Sequence, residues 1–168
     1  LALPGVADGV RATRTSVDAL LNNRVLRRRL PDVSAESSLR GAWISAVLDG
    51  AGVSLEDVRS GAAAADPLMQ GALRAQAAIG ALADTWTHAP RQALARLPAL
   101  AAADLVADNE ELGRPAPGTA PRLDTLAEVL DATQAPATVV AAIVHGEILS
   151  LDAFAPVSGL VARAAVRL

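Results

Sequence analysis

The chain of 168 residues has no cysteine and only two histidines, His88 and His145. The first absence excludes disulfides and thiolate metal sites, and two well-separated histidines do not make a zinc centre. Lysine is missing too: every basic residue is arginine, which, with the alanine excess, reads as codon bias in a GC-rich genome. Aromatic residues amount to 2%, namely Trp43, Trp86 and Phe154. The core must therefore be packed from Ala, Leu and Val, with helices close together. No uninterrupted apolar run reaches the roughly 20 residues that span a bilayer. The N-terminus also lacks the cationic stretch and apolar run of a secretory leader. The formal net charge of −3 gives no general attraction to nucleic acid or to an anionic membrane. A cytoplasmic protein is the default expectation.

What is present is a chain with 52% apolar residues, long enough to bury one real core. Residues 1–168 read as a single all-α domain of seven or eight helices. The first is predicted over about 8–30, with Val17, Leu20, Leu21, Val25 and Leu26 on one broad face. Arg24, Arg27, Arg28 and Arg29 then complement the dipole at its C-terminus. Pro31 breaks the chain, and Ser34 is predicted to cap a second helix over 34–48. A turn at 49–53 leads to Ser54 and Asp57, spaced as a capping-box variant, and Gly61 ends that short helix. Asp66-Pro67 opens a long helix, cap followed by proline at the first helical position. That helix closes at Thr87-His88, which makes His88 a surface or capping residue. Pro90 opens the next, in which Pro98 is expected to produce a kink. An acidic, then Pro/Gly-rich linker occupies 107–121. Its run Asp108-Asn109-Glu110-Glu111 lacks the alternating oxygens and glycine of a calcium loop. Helices follow from Pro121 and from Ala135-Pro136.

The stretch Val144 to Arg163, VHGEILSLDAFAPVSGLVAR, is where spacing suggests a site. It reads as the end of an apolar helix, a short loop around Phe154 and Pro156, and a new helix from about Ser158. A loop feeding a helix N-terminus is a natural anion site, because the first N–H groups have no partner within the helix. Arg163, about one and a half turns on, can point back at that spot.

This order of residues resembles the signature of the Fic family, whose active members transfer AMP from ATP to a protein hydroxyl and whose typical segment reads aHaqFetIHPFxDGNGRxxR. In the 143–167 region, Val144, His145, Leu151, Phe154, Gly159 and Arg163 fall at matching positions. The departures carry chemical weight. Asp152 stands at the place of the general-base histidine, and a free aspartate titrates near pH 3.9, whereas histidine titrates near 6.5. Pro156 replaces the magnesium-binding acid, Val157 the first glycine, Ser158 the asparagine and Leu160 the first arginine. The resemblance thus implies a helical bundle, truncated at the C-terminus, with a decayed active site. His145 and Phe154 would be structural. Ser158, Gly159 and Arg163 would remain as a phosphate-binding remnant.

Within 34–48, Glu36-Ser37-Ser38-Leu39-Arg40-Gly41 resembles the family's inhibitory motif, in which a glutamate reaches the last arginine of the active site. Here Arg40 stands in the glutamate's place and Glu36 in that of the serine. The alternative is an i,i+4 surface pair contributing a few tenths of a kcal/mol.

The resulting expectation is a Fic-like domain inactive for AMP transfer that serves as a binding or regulatory module for a protein partner. No metal or obligatory cofactor is expected; residual ATP or AMP binding is the nearest to one. An altered nucleotidyl- or phosphotransferase using Asp152 or Glu147 as base is the alternative, and a plain helical scaffold a further one. No glycine-rich loop after a strand supports dinucleotide chemistry.

Overall fold

The computed structural model describes residues 3–108 and 110–168. Leu1, Ala2 and Asn109 lie outside the described residues, so the reading of the 108–111 acidic run concerns a stretch only partly described. The described residues are all-α: α1 (Val6–Leu21), α2 (Arg24–Arg28), α3 (Leu30–Leu48), α4 (Leu55–Ser60), α5 (Pro67–His88), α6 (Pro90–Ala102), α7 (Ala120–Ala132), α8 (Ala137–Leu151) and α9 (Ser158–Ala165), with a 3₁₀ turn at Ala62–Ala65.

Two readings near the N-terminus are corrected. The helix expected over 8–30 is divided at Asn22-Asn23. There the Asn23 side chain accepts hydrogen bonds from the Val25 and Leu26 N–H groups and caps a separate five-residue helix. Pro31 does not separate the next helix but sits in its first turn, where a missing N–H costs nothing. Ser34 is therefore inside α3, which begins at Leu30. These changes raise the helix count to nine among the described residues.

The other caps follow the sequence. Ser54 and Asp57 form a reciprocal capping box, and Gly61 closes α4 in the left-handed conformation at φ 82°. Asp66 accepts from the Met69 N–H at the start of α5. Pro98 lies within α6 without ending it, and is buried.

The core is rich in alanine. Ala42, Ala46, Ala72, Ala75, Ala93 and Ala101 are buried between helices whose larger side chains, such as Met69, Leu97 and Ile148, fill the remaining space. Alanine allows close approach, and Gly71 takes it furthest: a Cβ there would overlap the Ala101 carbonyl, so α5 and α6 pack backbone against backbone. Helix α5 packs on α6 and α3, while the short α9 contacts α3, α5, α6 and α8. Leu160, Val161, Ala162, Ala164 and Ala165 of α9 are all buried. The helix that follows the motif bend is thus the one the bundle closes around. No helix of the described residues is long and apolar enough to cross a membrane.

Candidate functional site

Helix α8 stops at Asp152, whose backbone is left-handed (φ 46°, ψ 44°). Aspartate tolerates this conformation better than most residues, because its short polar side chain bonds locally. The bend after it is closed from within. The Phe154 N–H donates to Ser158 Oγ at 2.9 Å, and the Val157 N–H donates to the Phe154 carbonyl at 2.8 Å. Phe154 is buried and lines a cavity of about 210 Å³ with Leu94, Pro115 and Leu123. The segment from the 107–121 stretch docks onto the bend, its Ala116 N–H donating to the Ala153 carbonyl at 2.8 Å.

Ser158 is the first residue of α9, not its cap. Val157 holds the cap position and offers no side-chain bond. The hydroxyl of Ser158 is turned back to Phe154, so the open N–H groups of α9 need another acceptor. That acceptor is Asp49, at the C-terminus of α3: its Oδ2 accepts from the Leu160 N–H at 2.8 Å. Its Oδ1 lies 2.5 Å from Arg163 Nη2. Arg163 also donates from Nε to Ser45 Oγ at 2.7 Å and from Nη2 to the Ser45 carbonyl at 3.0 Å.

Gly159 completes the arrangement. A Cβ at this position would overlap the Asp49 carboxylate and stand 2.9 Å from Arg163 Nη1. The absence of a side chain is what lets an anion rest against the helix start. A carboxylate there gains from the helix dipole, from a peptide N–H and from a guanidinium together. Both charged side chains are mostly shielded, Arg163 at 25% exposure and Asp49 at 14%. The hollow beside them, lined by Ser45, Leu160 and Arg163, measures about 30 Å³. That admits a water, whereas ligand pockets typically hold several hundred Å³.

The remaining candidate residues lie outside this group of bonds. Asp152 is exposed at the end of α8 and His145 is half-buried midway along it. Glu147 is engaged by Arg122, whose Nε donates to Oε1 at 2.7 Å, tying α7 to α8. Glu36 and Arg40 form the i,i+4 surface pair at 2.6 Å, and Glu36 is also bridged to Arg59 on α4. These guanidinium groups hold the Glu36 carboxyl below the usual carboxylate range, the hydrogen bond from Arg40 being the larger cause. Arg163 does meet α3, but at Ser45 and Asp49, more than one turn beyond Arg40. Sequence spacing singles out neither residue: 49–53 reads as a turn, and nothing local distinguishes Ser45.

Among the described residues, no three His, Asp or Glu side chains are grouped so as to hold a metal ion. His88 is exposed and its Nδ1 lies 3.0 Å from the Asp84 carbonyl, one turn back. Comparison with protein-family models, with curated proteins and with solved structures gives no match to this chain.

Proposed function

We propose that this chain is a Fic-like domain that no longer transfers AMP and acts as a binding or regulatory module. The observation that carries the reading is the Asp49 carboxylate seated on Gly159, hydrogen-bonded to the Leu160 N–H and paired with Arg163. A glycine under an anion, an open peptide N–H and a returning arginine are the parts with which a bend and helix start hold a phosphate. In this chain the anion they hold is internal. A nucleotide phosphate entering here would have to displace a shielded carboxylate and find room in a hollow of about 30 Å³.

The positions around the bend agree with lost chemistry. Asp152 is exposed and carries a carboxylate at the position where the family has an imidazole. Pro156 and Leu160 offer no ligand to a metal or a phosphoryl oxygen. Glu147 is committed to Arg122 across the α7–α8 junction. The role left to the domain is presentation of its surface to a protein partner.

The test is calorimetric titration with ATP, ADP and AMP at millimolar concentration, paired with self-labelling from ATP labelled in the α-phosphate, which AMP transfer carries over, or in the γ-phosphate, which phosphoryl transfer carries over. The expected result is no binding heat and no incorporation above that of Asp152→Ala. Labelling that depends on Asp152 would overturn the reading in favour of an active transferase. Binding heat lost in Arg163→Met would show that the phosphate-binding remnant still takes nucleotide.

A further inference from the structure

The N-terminal arm, α1 and α2 with the first turn of α3, is folded but not packed. No side chain of α1 or α2 is buried, and α1 packs chiefly on α2. By helical spacing Val6, Val10, Val17, Leu20 and Leu21 share one side of α1. Yet Val17, Leu20 and Leu21 are 46–59% exposed and Val25 is 66% exposed. Seven of the twelve exposed large apolar side chains among the described residues fall between Leu3 and Val33. Where this side of α1 leans toward the α7–α8 junction, it leaves a gap of about 520 Å³ between Val10, Val17 and Pro136. An apolar stripe so bare is a place where something binds.

Charge indicates what that is. Residues 1–33 hold six arginines and three aspartates, whereas residues 34–168 hold nine arginines and fifteen acids. The arm is therefore +3 and the body −6. An anionic membrane or a nucleic acid would attract the arm but repel the larger body, and the arm contains no aromatic side chain to anchor in either. A second copy of the chain supplies both halves of the match. On α7, Glu128 and Asp131 lie on one side three residues apart, near Asp124, which Arg91 of α6 already pairs; Val129 of α7 and Ile143 and Leu149 of α8 are exposed apolar side chains on the same two helices.

We propose that two copies of this chain pair reciprocally, the arm of each laying its Leu20–Val25 stripe and its arginines along the α7–α8 surface of the other. Such a contact is isologous and closes on itself, so it ends at a dimer instead of growing into a filament. It stands independently of the anion-site reading, since the bonds of Asp49 and Arg163 run between the end of α3 and α9.

Sedimentation velocity on the whole chain from about 1 to 100 µM, at about 50 mM and about 500 mM salt, tests the pairing. A dimer that forms with concentration and dissociates several-fold more readily at high salt is expected. Leu20→Glu with Leu21→Glu should give a monomer whose core still unfolds cooperatively, because neither side chain belongs to it. Glu128→Arg with Asp131→Arg should weaken the dimer, and adding Arg27→Glu with Arg28→Glu should restore it. A monomer under all conditions, or a dimer indifferent to both sets of changes, would overturn the proposal. So would a chain that stays monomeric while binding vesicles of anionic phospholipid through Leu20 and Leu21.

Discussion

Asp49 and Arg163 are 114 residues apart in sequence and 2.5 Å apart in space, and their meeting joins the end of α3 to the start of α9. Removing either leaves the other shielded and unpaired, which costs more than the pair itself is worth. In urea unfolding, Arg163→Ala and Asp49→Ala should each lower stability by about 1–3 kcal/mol, discounted from fully buried pairs for their partial exposure. The double variant should recover part of the combined loss, giving a coupling of about 0.5–3 kcal/mol; strict additivity would show that the two side chains do not interact. Gly159→Ala should destabilise by about 1–3 kcal/mol, since the added methyl overlaps the carboxylate. In the Asp49→Ala background this added cost should largely vanish. From its spacing after Ser158 the arginine could be expected near the start of α9, and it lies beside Gly159 there. Its partner could not be expected, because an Asp-Gly pair is a sufficient account of a turn and one sequence carries no record of a contact over such a distance.

At the scale of elements, the sequence was clearest where caps are local. Ser54 with Asp57, and Asp66 with Pro67, satisfy peptide groups within three residues of themselves, so the pattern contains the whole interaction. It was least clear at 22–31, where apolar spacing runs on through Asn22-Asn23 and hides a cap that breaks the helix. Two predictions belong here. The Asp57 carboxyl titrates below its ordinary value of 3.8, chiefly through the Ser54 hydroxyl and then the Ser54 peptide N–H. Its contribution is present above that value and is lost as pH falls through the lowered folded one. Asp57→Asn should therefore flatten the decline in urea midpoint below about pH 4, and an unchanged slope would count against the box. Asp152, left-handed at the end of α8, pays for its Cβ. Asp152→Gly should raise the thermal midpoint, by an amount matching about 1 kcal/mol, while leaving the inactivity expected of this chain untouched.

Over the whole molecule, burial and helicity part company. Helix α9 has only eight residues but is enclosed by four others, whereas α1 has sixteen and buries none of them. Composition foresaw the alanine-packed core; it could not foresee which helix would be left out, because α1 has as regular an apolar face as any in the chain. A helix of sixteen residues without tertiary support is marginal in water, so α1 must open far more readily than α5 or α9. Amide hydrogen exchange on dilute protein should find residues 6–28 exchanging within a small factor of unfolded peptide. The amides of α5 and α9 should exchange only through global unfolding. Raising the concentration should slow exchange in the arm if another copy covers its apolar face, with α5 and α9 slowed only by what dimerisation adds to global stability, and Leu20→Glu with Leu21→Glu should abolish both effects. Protection of α1 equal to that of α5 at high dilution would instead mean that the arm is held by its own body, and that its exposed leucines contribute nothing to pairing.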